Sequence, residues 1–130
     1  KEGTKVDMGG NKITNVAAGT ADTDAVNVGQ VNAALNTVNQ NITNLGNKLS
    51  EVGNESKAGS ASAIATANLP QSTIPGMGMT TVGLGTYDGQ SAIAVGLSKM
   101  SDNGKWVIKA SATTNTQGKV GAGVGVGFHW

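Results

Sequence analysis

The side chains able to do chemistry are few, and nothing in the sequence gathers them. His129 is the lone imidazole, there is no Cys, and the eight Asp and Glu are spread along 130 residues. A metal centre or an acid–base pair needs several such groups converging on one point. His129 is therefore expected at a rim of the fold rather than in a site. Ser60 and Ser62 lack the neighbouring base that a nucleophile requires, and they read as small packing residues or as hydrogen-bonding groups in a lumen. Gly83-Leu84-Gly85 and the run Gly121, Gly123, Gly125, Gly127 resemble phosphate-binding loops in composition. Their strict two-residue period marks a strand face instead, because nucleotide loops sit at a strand-to-helix turn. No catalytic residue, metal or cofactor is expected, and the chain is not read as an enzyme.

Composition narrows the classes further. Nine Lys and no Arg oppose eight acids for a net charge of +1. With no cluster of lysines there is nothing to neutralise a phosphate backbone, which argues against nucleic acid as a partner. Two Trp, one Tyr and one Phe against 20 Gly are poor material for a conventional globular core. No apolar run approaches the roughly 20 residues of a membrane-spanning helix. That limit does not touch β-barrels, whose strands hide apolar residues in alternation. Lys1-Glu2-Gly3-Thr4 does not look like a signal peptide and reads as the interior of a longer protein.

The long element is a helix. Val28, Val31, Leu35, Val38, Ile42, Leu45, Leu49 and Val52 recur at gaps of three and four, a heptad seam that needs partner helices. Before it, residues 1–25 are polar and glycine-rich, with Ile13 and Val16 suggesting a short strand or irregular β segment. Asp22-Thr23-Asp24 offers an N-cap, so the helix is expected from near Ala25 to Asn68. Gly29, Gly46 and Gly53 lie inside it and each costs about 1 kcal/mol relative to Ala, which argues against a helix that stands alone. The mixture of Val, Leu and Ile along the seam is compatible with a trimer. Past Val52 the seam positions shrink to Ser56, Gly59, Ala63 and Thr66, as if the helices entered a narrow space. Leu69-Pro70 ends the element.

Four strands follow, at 79–87, 91–100, 105–114 and 119–130, separated by Asp88-Gly89, Asp102-Asn103-Gly104 and Asn115-Thr116-Gln117-Gly118. They predict an antiparallel meander. In the last strand Val120, Ala122, Val124, Val126, Phe128 and Trp130 share one face, while Gly121, Gly123, Gly125, Gly127 and His129 share the other with Lys119. The second strand repeats the device with Ile93, Val95 and Leu97 against Ala92, Ala94 and Gly96. A soluble sheet would carry polar residues opposite its apolar face; here the opposite face is merely small. Glycine in a strand marks close approach of another backbone, and the small-residue helix segment from Ser56 to Thr66 is the nearest body.

Helices on the glycine side leave the Val/Ile/Leu side facing outward, the form of an outer-membrane barrel. About eight strands is the smallest number that closes one, so four must be completed by other copies. Three chains supply twelve, the stoichiometry the seam allows. The fold expected is a trimeric twelve-stranded antiparallel membrane barrel with a coiled coil, the N-terminal helices passing through the lumen. Gly59, Ala63, Gly83, Gly85, Gly96, Gly121, Gly123, Gly125 and Gly127 are its expected lumen-packing residues. Trp106, Phe128 and Trp130 fall at one rim and Tyr87 at the other, two aromatic girdles from four residues. Lys109 and Lys119 are open between lining the lumen, pairing with Glu51 or Glu55, and plain solvation; Lys99 shares the outward face near a strand end, where it can snorkel.

These residues carry a family resemblance. Asp24-Ala25-Val26-Asn27-Val28-Gly29-Gln30-Val31 resembles the neck that precedes stalks in trimeric autotransporter adhesins, and Gly10 to Val16 resembles the segment leading into such necks. Ala58-Gly59-Ser60-Ala61-Ser62-Ala63 and the four strands ending in an aromatic resemble the membrane anchor of the YadA-like type. The resemblance implies 1–25 as neck and end of passenger, 26–55 as stalk, 56–75 as lumen helix and connector, and 76–130 as outer-membrane anchor. It implies a homotrimer in a Gram-negative outer membrane that exports and tethers its own passenger. The partners implied are outer-membrane lipid and, through Trp130, the outer-membrane assembly machinery; the adhesive head and its host ligand are expected upstream of Lys1. On the residues alone, a soluble trimeric fibre of phage-tail type and a small passive porin share these features. A need for detergent separates the first, single-channel recording the second.

Overall fold

The computed structural model describes residues 3–130. Two compact units divide the chain, one ending at Gly46 and the other starting at Asn47. The helix α1, Val28–Ala67, contributes to both. At about 1.5 Å per residue its 40 residues run on the order of 60 Å.

In the first unit the described residues before α1 form turns and bends, without a paired strand. A turn closed by Asn11 N donating to Met8 O at 3.1 Å places Gly9 and Gly10 at φ of 57° and 79°. The helix begins at Val28, three residues later than the expected Ala25, and its cap is Asn27 rather than the Asp22-Thr23-Asp24 run. Gln30 N donates to Asn27 Oδ1 at 3.0 Å while Asn27 N donates to Gln30 Oε1 at 3.1 Å. This reciprocal pair is a capping box, which satisfies two backbone donors at once. Asp24 is engaged elsewhere, accepting from the backbone N of Thr20 and Ala21 at 2.9 Å each.

The second unit sets a meander against the end of α1. Strands β1 (Gly78–Tyr87), β2 (Gln90–Met100), β3 (Trp106–Asn115) and β4 (Val120–Phe128) lie in the order β1-β2-β3-β4, all antiparallel. The element count, order and connecting turns match the sequence expectation. Asp88 and Gly89, at φ of 44° and 84°, make the two-residue turn that the right-handed twist of paired strands favours. Register runs through Gly83↔Ala94, Ala94↔Thr113 and Thr113↔Gly121, so one row of small residues crosses the whole sheet. The adjoining row is Val82↔Val95, Val95↔Ala112 and Ala112↔Ala122, on the opposite face. The core consists of small side chains and one leucine: Ala61, Ala65 and Leu69 against Ala92 and Ala94.

Candidate functional site

The surface on which a function can be built is the seat of α1 on the sheet. Ala58, Ala61 and Ala65 are fully buried there, and Leu69 nearly so. Their 3-4-4 spacing makes one helical stripe, distinct from the Ser56, Gly59, Ala63, Thr66 row. Gly59 and Ala63 are exposed, so the sheet does not pack on them within one chain. The opposing wall has no room for a side chain at its glycines. A Cβ at Gly83 would stand 2.5 Å from Ala65 O; one at Gly85 would overlap Ala61 O and lie 2.6 Å from Ala65 N. At Gly96 it would meet Thr81 Oγ1 at 2.7 Å. Glycine at 83 and 85 is what lets helix backbone lie directly on strand backbone.

Polar contacts fasten this seat along its length. At the Leu69 end, Lys109 Nζ donates to Leu69 O at 2.8 Å, placing a cation just past the C-terminus of the helix. Beside it Ser72 N donates to Ser98 Oγ at 2.7 Å and Ser72 Oγ donates to Met77 O at 2.7 Å, a buried fixing of the connector. Midway, Asn115 Nδ2 donates to Ser62 Oγ at 3.1 Å. Near the β1–β2 turn, Lys57 pairs with Asp88 at 2.8 Å, and Lys119 reaches Glu55 at 3.5 Å. The partner of Lys119 is thus one of the two acids its sequence position suggested, whereas Lys109 binds the Leu69 carbonyl beyond the helix end. The stripe at Ala58, Ala61, Ala65 and Leu69 and the contacts of Ser72, Ser98 and Lys109 are functional features that the heptad reading passes over. The stripe is readable from spacing; Lys109 lies 40 residues from its acceptor and has no local signal.

Other expected site residues lie outside this seat. Val28, Val31, Leu35, Val38, Ile42, Leu45, Leu49 and Val52 are 42–74% exposed in the single chain. Gly121 faces Thr113 Oγ1, while a Cβ at Gly123, Gly125 or Gly127 would meet no atom within 4 Å. On the outward face Trp106 and Phe128 pack across β3 and β4 with centroids 4.6 Å apart and a 45° tilt between the rings, and Trp130 is fully exposed. Tyr87 stands at the opposite end of the sheet, yet alternation puts it in the set of Gly83 and Gly85, facing the helix side and not the outward band. His129 extends the β3–β4 pairing, its N donating to Lys105 O at 2.7 Å. Among the described residues, no three His, Cys, Asp or Glu converge as metal ligands, and no helix is long and apolar enough to cross a membrane.

The first unit carries its own polar knot. Asn27 Nδ2 donates to Val16 O at 2.9 Å, and Gln30 spans Gly19, donating Nε2–H to its O and accepting from its N, both at 3.0 Å. The capping pair of α1 thereby also ties down the loop at 16–19. The amide N–H groups of Ala21 first, and Thr20 next, hold the Asp24 carboxyl below its ordinary value despite full exposure.

A knotted helix start, a heptad seam and a four-stranded sheet with an apolar outward band together define a stalked β-membrane anchor. Residues 70–130 match the YadA-like membrane anchor domain, and residues 12–54 match the coiled stalk of trimeric autotransporter adhesin. The chain is 40% identical over 126 residues to autotransporter adhesin EhaG of Escherichia coli O157:H7, covering 94% of this chain and 8% of that protein. It is 41% identical over 128 residues to autotransporter adhesin NhhA of Neisseria meningitidis serogroup B, covering 98% of this chain and 20% of that protein. Trimeric autotransporter adhesin AtaA of an Acinetobacter species is 29% identical over 127 residues, which is 3% of its length. The chain belongs to the trimeric autotransporter adhesins, as a stalk and outer-membrane anchor of that family. It spans a fifth or less of the length of these relatives.

Proposed function

We propose that three copies close a twelve-stranded barrel in the outer membrane, with three α1 helices in its lumen, and that this assembly exports and then tethers the passenger to which it is joined. The observation that carries the reading is the unfinished state of one sheet. β1 and β4 each leave one edge of 10 and 9 residues unpaired, and unpaired backbone groups facing hydrocarbon cost several kcal/mol each. Pairing β1 of one copy with β4 of the next removes both edges in every copy, and only a ring does so. The empty space over Gly123, Gly125 and Gly127 then receives a helix from another copy, and Gly59 and Ala63 meet their counterparts on the lumen axis.

In this arrangement residues 1–25 are the neck, 26–55 the stalk, 56–75 the lumen helix and connector, and 76–130 the anchor. Leu84, Ile93, Val95, Leu97, Val124 and Val126 face lipid. The Asp88-Gly89 and Asn115–Gly118 turns are extracellular, while Asp102–Gly104 and Trp130 are periplasmic. Trp130 is the residue offered to outer-membrane assembly machinery. Adhesion to a host ligand belongs to passenger sequence upstream, and no catalytic step enters the cycle. The mass of the detergent-solubilised particle tests the reading: a trimer that resists SDS until boiled is expected, and a monomer or dimer would end it. Impermeant labelling of Asp102→Cys in intact cells should fail; efficient labelling would reverse the orientation.

A further inference from the structure

We propose that the outward face carries one anionic phospholipid site per chain, with Lys99 holding the phosphate and an alanine track on β3 seating an acyl chain. The proposal rests on the barrel reading above. Lys99 is the one charged side chain among the outward positions of the four strands, which otherwise read Val, Ile, Leu, Ala, Thr, Ser, Gly and aromatic. It forms no ion pair among the described residues. The acid of the adjacent turn is directed elsewhere, since a Cβ at Gly76 would stand 2.8 Å from Asp102 Oδ1, over the connector. Lys99 is left as an uncompensated cation at the edge of an apolar band.

The floor beside it is grooved. Lys99 is in register with Ile108, and Ile108 with Val126, while the next outward row is Leu97, Ala110 and Val124. Ala110 is short between two long neighbours, which opens a groove of about 540 Å³ reaching from Lys99 past Ala110 to Val124 and Val126. A second groove of about 430 Å³ shares Leu97 and Ala110 and continues over Ala112 toward Val95. The track from Ile108 to Ala112 is about 13 Å long at the rise of a strand, with a cation at one end and alkyl walls on both sides. A phosphate with an attached hydrocarbon chain matches that charge and shape. Trp106 packed on Phe128, two residues nearer the rim than Ile108 and Val126, marks the interfacial level at which a headgroup sits. Orientation places this rim at the periplasmic leaflet, so the ligand is a phospholipid and not the phosphorylated glycolipid of the outer leaflet.

Native mass spectrometry of the detergent-released particle, with equimolar phosphatidylglycerol, phosphatidylcholine or lipid A added, tests this. Phosphatidylglycerol should be retained at up to three per trimer and in preference to both other lipids. Lys99→Gln should lower its retention about fivefold, the size expected of one interfacial lysine, while Lys99→Arg keeps it. Ala110→Leu, which fills the groove and leaves the charge, should also lower retention, and this variant decides the matter if Lys99→Gln does not assemble. Equal retention by the parent and either lowered variant, preference for lipid A, or a trimer with no adduct would overturn the site. A particle that is not a trimer would appear in the same spectrum as a different mass and break the barrel reading itself.

Discussion

The glycines of β1 and the glycines of β4 follow the same alternation and have opposite surroundings. Gly83 and Gly85 lie under the backbone of α1, with Ala61 and Ala65 where a Cβ would be; Gly123, Gly125 and Gly127 face open space. The same contrast divides the helix. Ala58, Ala61 and Ala65 are wholly buried by the chain's own sheet, while the eight apolar residues from Val28 to Val52 stay 42% or more exposed. A pattern of residue types therefore specifies that a surface is to be covered, without saying whether the cover comes from the same chain or from another copy. In this protein the first kind of surface fixes the shape of the single chain, which leaves the second kind open.

Substitutions that separate the two kinds of surface sharpen the comparison, and the largest effect belongs to the first. Gly85→Leu drives a side chain into helix backbone inside each subunit, where nothing flexible can yield; overpacking of this kind costs on the order of 3 kcal/mol or more per chain. No heat-resistant trimer should form, as read by gel mobility against temperature, and parental mobility would show that α1 does not rest on β1. Gly125→Leu should act only once copies meet, at about 1–3 kcal/mol per chain and roughly three times that per trimer. The trimer should form but dissociate at a lower temperature. Val124→Leu, one residue away on the outward face, should cost under about 1.5 kcal/mol and leave the transition in place. If Gly125→Leu and Val124→Leu are tolerated equally, the β4 glycines do not meet helices and the plugged barrel is wrong.

What could be read from the residues follows the same division. The seam, the four strands and their turns were legible because each is a local period or a local turn signal: 3.5 along Val28–Val52, 2 along Val120–Phe128, Asp88-Gly89 between two alternating runs. Three polar residues at 22–24 look more like a cap than Asn27 does, which puts the expected helix start three residues before the observed Val28. Yet Asn27-Val28-Gly29-Gln30 carries the capping-box spacing, and the reciprocal hydrogen bonds decide the contest. The heptad register extends to Gly59 and Ala63, which stay exposed in the single chain. Within that chain the sheet packs on Ala58, Ala61 and Ala65, a second small-residue stripe on the same helix. With small residues all round, periodicity marks two faces and cannot rank them. Tyr87 was placed by its end of the sheet alone; its parity, also legible, assigns it to the helix side.

The contact without a sequence signal gives the next prediction. Lys109→Met keeps the stem and removes the ammonium that meets Leu69 O, leaving a part-buried carbonyl short of a partner at about 1–3 kcal/mol per chain. Thermal dissociation should fall by less than for Gly85→Leu, since a missing hydrogen bond leaves the backbone contact at Gly83 and Gly85 intact. Lys109→Arg, a donor of similar reach, should restore part of the loss. An unchanged transition in Lys109→Met would mean that the Leu69 carbonyl is satisfied from elsewhere, such as another copy.

The smallest effect is expected in the residues before α1, where the knot lies within one chain and at its surface. Asp24 is held ionised chiefly by the amide N–H of Ala21 and then that of Thr20, so its folded value lies below its unfolded value of about 3.9. For a carboxylate shifted this way, the stabilisation is fully present above the unfolded value and is lost as pH falls through the folded one. Neutral pH should thus leave the 20–24 loop closed, and only acid below about 4 should open it. Hydrogen exchange at Thr20 and Ala21, corrected for intrinsic rates, reads this directly. Protection in the parent should drop on acidification, while Asp24→Asn, which keeps an acceptor but no charge, should show weaker protection at neutral pH and no such drop. The Asn27–Gln30 knot holds residues 16–19 with uncharged groups, so protection at Gly19 should be indifferent to both the substitution and the acid. An acid-induced loss at Gly19 that matches the loss at Thr20 would show that the 16–19 and 20–24 segments open together and that Asp24 governs both.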